Sequence, residues 1–511
     1  MKQNEAQQTD AKTLDPQAPN NTTISQPSQK SSEENVVQNQ TNKWIVLAII
    51  AIGVFMATLD TSIVNISLPT IARYFGVPLS GAIEWVIIVY LVVTAGVLLT
   101  AGRLADMIGR KPVWIAGLVI FTFGSALCGL SPSLLFLIGA RALQGLGGAL
   151  LMAINPAMLT NAFPPSERGR ALGLNAVNVS LGVSVGPTLG GLITQYFSWR
   201  WIFYVNVPIG IIGLLATISY LKERVPRNAG KFDPLGAVLL AVGLVALTLG
   251  LSFGQEWGWT SILLIGTIAA SVISLGSFYI VEHRVKNPII DFSLLRNRVF
   301  LSANLSLVLN FLALFSVSFM LPFYLEELRR FNSVESGLLL TPLPLTIAII
   351  APFSGSLADR MGTRWLAAGG MVLACIGLVE ISFLNAQSSI LDIVWRLMLI
   401  GAGQAIFQSP NNSALMGSAP RNQQGSASGF LATGRVFGQS VSVALAGAVF
   451  TSLGGAAAGA ALVSNKFGDQ LQSLQNTFIH SFQITFLVCA CIAAVAIFAS
   501  LVRGKEAPRK R

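Results

Sequence analysis

Between Trp44 and Pro69 the chain reads WIVLAIIAIGVFMATLDTSIVNISLP, an apolar run with one carboxylate, Asp60, inside it. About 20 apolar residues cross the hydrocarbon core of a bilayer, so this stretch reads as a membrane-spanning helix. An acidic side chain at that depth costs on the order of 3 kcal/mol or more, and it survives by facing a wet cavity, pairing with a cation or taking a proton. All three point to function. The structural alternative is a carboxylate that caps or hydrogen-bonds a neighbouring helix.

Similar runs follow with short polar breaks, at residues 82–101, 112–130, 133–157, 170–194, 200–221, 234–254, 260–281, 300–325, 336–357, 364–385, 391–416, 426–452 and 480–502. Only 11% of the chain is charged and 53% is hydrophobic, against about 25% charged in soluble domains. The expectation is an all-α integral membrane protein of fourteen transmembrane helices. Several runs contain Pro or many Gly, which membrane helices tolerate because neighbours re-satisfy the backbone. Residues 1–43 are rich in Gln, Asn, Ser and Thr and read as a disordered cytoplasmic tail. The acids in that tail and the length of the run after it favour a retained span over a signal peptide.

The breaks after the even-numbered spans, with the C-terminal tail, hold twenty-one Lys or Arg; the opposite breaks hold five, Arg73, Arg200, Arg329, Arg330 and Lys466. The positive-inside rule places the first set, and both termini, in the cytoplasm of a cell-membrane protein. The net charge of +11 is thereby a topology signal and a contact with anionic lipid, and gives no reason to invoke nucleic acid. Cys128, Cys375, Cys489 and Cys491 fall in apolar runs without metal spacing and read as small core residues; His283 and His480 have no second ligand nearby. No metal site is expected.

An internal repeat emerges when the halves are aligned. GRLADMIGRK at 102–111 returns as GSLADRMGTR at 355–364, Arg141 returns as Arg396, and Gly169 and Gly173 return as Gly425 and Gly429. The expected organisation is an N-terminal six-helix bundle at 44–221, two extra spans with cytoplasmic linkers at 222–299, a C-terminal six-helix bundle at 300–502 and a basic tail at 503–511. Parallel repeats that rock about a central site are one transporter architecture.

Five motifs in order carry a family resemblance: LDTSIVNISLP at 59–69, GRLADMIGRK, RALQGLGGA at 141–149, GVSVGPTLGG at 182–191 and WRWIFYVNVPIG at 199–210. Over residues 44–502 the chain resembles the major facilitator superfamily, and within it the fourteen-span drug:proton antiporters of the EmrB/QacA type. The resemblance implies alternating access driven by a proton gradient, without a bound cofactor, and it implies that the GRLADMIGRK loop clamps the two halves on the cytoplasmic side. The span-5 motif carries the antiporter part.

The residues have their own physical reading. Asp60 lies eight residues before Leu68 and Arg141 eight after Ser133, so at 1.5 Å per residue both sit about 12 Å below the outer surface and can meet. The expectation is that Asp60 takes a proton when separated from Arg141 and releases it when the pair re-forms; the alternative is a lock between helices. The gate motif comprises Gly102, Asp106, Gly109, Arg110 and Lys111, with Gly102 admitting close helix approach and Asp106 accepting hydrogen bonds or pairing with Arg110 and Lys111. Its copy keeps Gly355, Asp359, Gly362 and Arg364 but has Thr363 for Arg110, so a weaker clamp is expected; a topology signal alone would also explain both. Gly182, Gly186 and Gly190 form a small-residue stripe, repeated by Gly434, Gly438, Ser442 and Ala446, and Pro187 and Gly191 are expected to break or crowd the helix. Plain packing accounts for the stripe; the added expectation is a seam that bends and limits proton leak. Asn65, Gln144, Asn155 and Arg435 are candidate polar groups of the cavity, and Arg435 must face the cavity, a partner helix or a ligand anion. Glu84, Glu380 and Asp392 read as interface-solvated, and the break at 453–479 as a hairpin or short helix over the cavity mouth.

The leading function is therefore proton-coupled efflux of hydrophobic or amphipathic small molecules such as drugs, by a monomer in contact with membrane lipid. Some members of the family that the chain resembles export multivalent cations and carry additional acids in the second half; spans 10 and 13 have none here, so the resemblance disfavours dicationic substrates. A lipid or glycolipid translocase of the same fold is the alternative, and uptake symport a weaker one. No GxxxxGK[ST] loop offers ATP as the drive, and an enzyme would need a carboxylate pair, nucleophile or metal cluster that is not found. A sensor would carry a folded soluble domain.

Overall fold

The structure is a computed structural model that describes residues 42–77, 82–164, 167–222, 233–258, 260–285, 292–420, 424–464 and 470–502. Of the expected tail at 1–43, residues 1–41 lie outside the described residues and Lys43 already belongs to the first helix; the tail at 503–511 and most of the linkers flanking the two extra spans also lie outside the described residues. Everything described is helix or connection, with no strand among the described residues.

In chain order the helices are α1 (Lys43–Phe75), α2 (Trp85–Ile108), α3 (Arg110–Leu130), α4 (Leu134–Ala162), α5 (Arg168–Tyr196), α6 (Trp201–Tyr204), α7 (Asn206–Tyr220), α8 (Pro234–Trp257), α9 (Ile262–Glu282), α10 (Arg298–Phe323), α11 (Ser333–Leu340), α12 (Pro342–Met361), α13 (Thr363–Ser382), α14 (Ile390–Ser418), α15 (Gln424–Ser452), α16 (Gly455–Val463) and α17 (Leu471–Leu501). Among the described residues eleven helices are long and apolar enough to cross a bilayer, or up to twelve if the pair around Gly454, bent by 78°, is one span. α2 and α8 contribute shorter apolar stretches, Trp85–Leu98 and Pro234–Gly250. Of the break at 453–479, α16 is the short helix, and residues 465–469 lie outside the described residues.

Several boundaries correct the sequence reading. α1 continues past Leu68 to Phe75, seven residues beyond the expected end of the span, and Asp60 lies level with Arg141. The sixth span stands as one, Trp201–Tyr220, with helical backbone at Val205 where α6 passes into α7. Pro187 does not break α5, which runs on to Tyr196. GRLADMIGRK is not a loop: α2 and α3 abut at one residue, Gly109, whose φ of 100° suits only glycine, and Gly362 with φ 85° joins α12 to α13 in the same way. Of the cysteines, Cys128 and Cys489 are buried, but Cys375 is half-buried and Cys491 exposed.

The packing follows the repeat. α1 packs on α5, α4 on α2 and α3, and α3 on α7; in the second half α10 packs on α15 and α17, and α14 on α12 and α13. The halves meet where α2 lies along α15 and α5 along α11, with α1 against α10. α8 and α9 pack on each other, and α8 touches both α2 and α15, so this pair lies astride the junction. Odd-numbered α1 and α5, like α10 and α15, run from the end of the bundle that holds Lys43 toward the end that holds Arg73.

Candidate functional site

Asp60 is fully buried on α1, and both its oxygens are hydrogen-bonded. Oδ2 accepts from Arg141 Nη1 at 2.6 Å; Oδ1 accepts from Gln144 Nε2 and from Asn206 Nδ2, each at 2.8 Å. Arg141 and Gln144 are three apart on α4, so they share a face, and Arg141 Nη1 also donates to Gln144 Oε1 at 2.6 Å. Arg141 Nε donates to the Val86 carbonyl at 2.9 Å, and its guanidinium lies 4.3 Å from the Tyr90 ring centre and 5.8 Å from that of Phe203. Gln144 Nε2 donates to Ser125 Oγ at 2.7 Å, and Cys128 Sγ to Gln144 Oε1 at 3.6 Å. Helices α1, α2, α3, α4 and α7 thus converge on one ion pair. The sequence placed Asp60 and Arg141 near one another and offered Gln144 only as a polar group of the cavity; it missed Asn206, although Asn206 stands inside a quoted motif. The signal was available, since a neutral amide in an apolar run needs partners as a charge does.

The span-5 glycines face this same helix. A side chain at Gly182 would collide with Thr58, at Gly186 with Ser62, and at Gly190 with Ile63 and Ile66. The closeness is exploited: Ser62 Oγ donates to the Val183 carbonyl at 2.9 Å. Gly191 does more than crowd its own helix, because it faces the Ser333 carbonyl of α11, while Gly337 of α11 faces the Pro187 carbonyl. In the second half Gly434 faces Asn304 and Val308, and Gly438 faces Val308 and Phe311, which repeats the α1–α5 seam as α10–α15.

The gate motif is only partly as expected. A side chain at Gly102 would meet nothing within 4 Å, so this glycine does not serve close helix approach. The side chains of Asp106 and Asp359 lie outside the described residues. Arg110 Nη1 donates to the Ala157 carbonyl at 2.8 Å, and Lys111 Nζ to the Leu221 carbonyl at 2.5 Å, both within the first half. In the copy, Gly355 faces Ser409, and Arg364 lies over the Trp365 ring at 5.3 Å. Asn65 and Asn155 are buried, each with an Oδ1 that has no partner, as suits groups awaiting water or ligand. Glu84 is 2% exposed and wedged against Gly447 of α15, so it is not solvated at an interface; α2 and α15 close over it.

Residues 50–443 match the Major Facilitator Superfamily. The chain belongs to this superfamily. Its members are transporters and not enzymes, which makes this a multi-pass membrane transporter of small molecules. The riboflavin transporter RibZ of Clostridioides difficile (strain 630) is 38% identical over 411 residues, 80% of this chain and 88% of that protein. Multidrug resistance protein Stp of Mycobacterium tuberculosis (strain ATCC 25618 / H37Rv) is 34% identical over 414 residues, 80% of this chain and 77% of Stp. Among solved structures, a bacterial homologue of the human lysosomal transporter Spinster, inward-facing and unoccupied, superposes with a TM-score of 0.65 at 14% identity, covering 90% of this chain and 97% of that one, which is a likeness of fold.

As in a facilitator fold, the two halves are separate surfaces, and here their polar contacts gather at the Arg73 end. Arg73 Nη2 donates to Glu326 Oε2 at 2.7 Å, and Ser333 Oγ to Glu326 Oε1 at 3.0 Å. The hydroxyls of Thr188 and Thr341 are 2.8 Å apart. Glu326 and Glu327 are 3% exposed because α10 continues through a π-helical turn, Tyr324–Leu328, instead of ending at 325. The sequence reading missed this latch by ending the span too soon.

Proposed function

We propose that the protein is a fourteen-span, proton-coupled antiporter that exports amphipathic small molecules. The observation that carries this reading is the Asp60–Arg141 pair, sealed by Gln144 and Asn206 against the helix that the span-5 glycines grip. A carboxylate as fully buried as Asp60 has two tolerable states inside a bilayer, paired with a cation or protonated. Movement of α1 against α4 within the first half changes which of the two is available, because Arg141 is borne by α4 and Asp60 by α1. A conformation that draws Asp60 off Arg141 loads it with a proton, and re-forming the pair expels that proton.

The charge bias assigns the Lys43 end to the cytoplasm, so the Arg73–Glu326 and Thr188–Thr341 contacts close the outer side. This is the state that accepts substrate from within. The extra pair α8–α9, set beside the α2–α15 junction, supplies the seventh and eighth of the fourteen spans. Relatives named for multidrug resistance and for riboflavin transport support substrates that are organic and amphipathic.

Proteoliposomes with an imposed pH gradient test the reading. Substrate-dependent proton flux supports antiport; flip of labelled lipid without such flux supports a lipid translocase; cotransport in one direction supports uptake symport.

A further inference from the structure

Arg435 stands eleven residues into α15, about 16 Å along a helix that crosses a core about 30 Å thick. The arginines around the interior are otherwise committed: Arg141 to Asp60, Arg73 to Glu326, Arg200 to the Ser131 carbonyl, and Arg396 near Glu380 and Asp392. Arg435 makes one contact among the described residues, its guanidinium lying 5.1 Å from the Phe311 ring centre. Arg435 is half-buried, so part of its side chain reaches accessible space. That space lies inside the bundle, because Gly434, Val436, Gly438, Gln439 and Ser440 around it are buried and α2, α8, α10 and α17 enclose α15.

Nothing in the fold asks for a charge here. In the first half the matching position, at the spacing of 256 residues that takes Gly169 to Gly425 and Gly173 to Gly429, is Val179, an apolar residue packed on the core. A cation–π contact returns less than a desolvated, unpaired guanidinium loses in a membrane interior. The described carboxylates of the second half, Glu326, Glu327, Glu335, Glu380 and Asp392, all stand at the Arg73 end, far along the helices from Arg435.

We infer that Arg435 is an anion-anchoring site for the transported molecule, and that the substrate class is an aromatic or amphipathic organic anion. A planar carboxylate, sulfonate or phosphate meets the guanidinium fork in two parallel hydrogen bonds, and the apolar body packs beside Phe311. This inference rests on the reading of the chain as a transporter of amphipathic molecules. It distributes the two jobs between the halves: the first half holds its arginine for Asp60, and the second offers one to the cargo.

The test uses 1-naphthalenesulfonate and its uncharged analogue 1-naphthalenemethanol as probes of the purified full-length protein. For the wild type, binding is expected to favour the sulfonate, and Arg435→Gln lowers that preference at least tenfold, while Arg435→Lys retains part of it. As a readout that needs no variant, the sulfonate is expected to slow phenylglyoxal modification of Arg435, read by mass spectrometry of its peptide. Equal preference in wild type and Arg435→Gln, no sulfonate binding to the wild type, or unprotected Arg435 overturns the inference. If naphthalenemethanol still exchanges against protons in that case, the transport reading stands and only the anion site falls.

Discussion

At the residue scale the pair Asp60–Arg141 is worth more as a switch than as a staple. Two charges out of water gain little net stability from each other, but deleting one strands the other, at about 3–5 kcal/mol. Arg141→Ala is therefore expected to destabilise the protein strongly, by a clear fall in the melting midpoint in detergent, whereas Asp60→Leu with Arg141→Met falls less than Arg141→Ala alone. Equal losses would mean that Arg141 acts through packing on Tyr90 and Phe203 alone. Both charged residues were legible because a charge in an apolar run is conspicuous. Asn206 gave a weaker signal of the same kind, an amide in an apolar run that needs partners, whereas the Ser125 hydroxyl can satisfy itself on its own helix and gains its role only from the third dimension. Glu326 and Glu327 were overlooked for a different reason: four charges in LEELRR resemble a loop, and only a π turn that carries the helix onward buries the first two.

At the element scale the helices were legible from hydropathy, and their ends were not. Ends are set by tertiary contact: α1 runs past Leu68 because Tyr74 and Phe75 pack on Trp199, and α2 stops where a single glycine can turn the chain. The small-residue stripe was also legible, but not its second partner. α5 touches α1 through Gly182, Gly186 and Gly190, and it touches α11 of the other half through Gly191. Extra bulk in such a contact costs about 1–3 kcal/mol, and each substitution should act on its own seam. Gly191→Val is expected to part α5 from α11, so that a cysteine at Thr188 reacts faster with a membrane-impermeant thiol reagent added on the Arg73 side. Gly186→Val should instead press on Ser62 and slow transport without that gain in labelling. Unchanged labelling of the Thr188→Cys reporter in Gly191→Val would separate this glycine from closure.

At the scale of the whole molecule the repeat was visible in sequence as recurring motifs, and the structure adds where the copies part company. The first half has an acid facing its arginine; the second keeps the glycine seam but places no described carboxylate near Arg435. The halves touch through Arg73–Glu326 and Thr188–Thr341 at one end, and a transporter that alternates must break these contacts once per cycle. In a background with Cys128, Cys375, Cys489 and Cys491 replaced, joining Arg73→Cys to Glu326→Cys with a short, reducible bifunctional reagent is expected to stop transport, and reduction to restore it. Full transport with the link in place would remove this end from the gate. The coupling itself is tested most directly by proton flux into proteoliposomes under an imposed pH gradient, with wild type and Asp60→Asn side by side. The account predicts substrate-dependent proton movement for the wild type and none for Asp60→Asn protein that still folds and binds substrate; Asp60→Asn protein that exchanges substrate for protons at the wild-type ratio would contradict it.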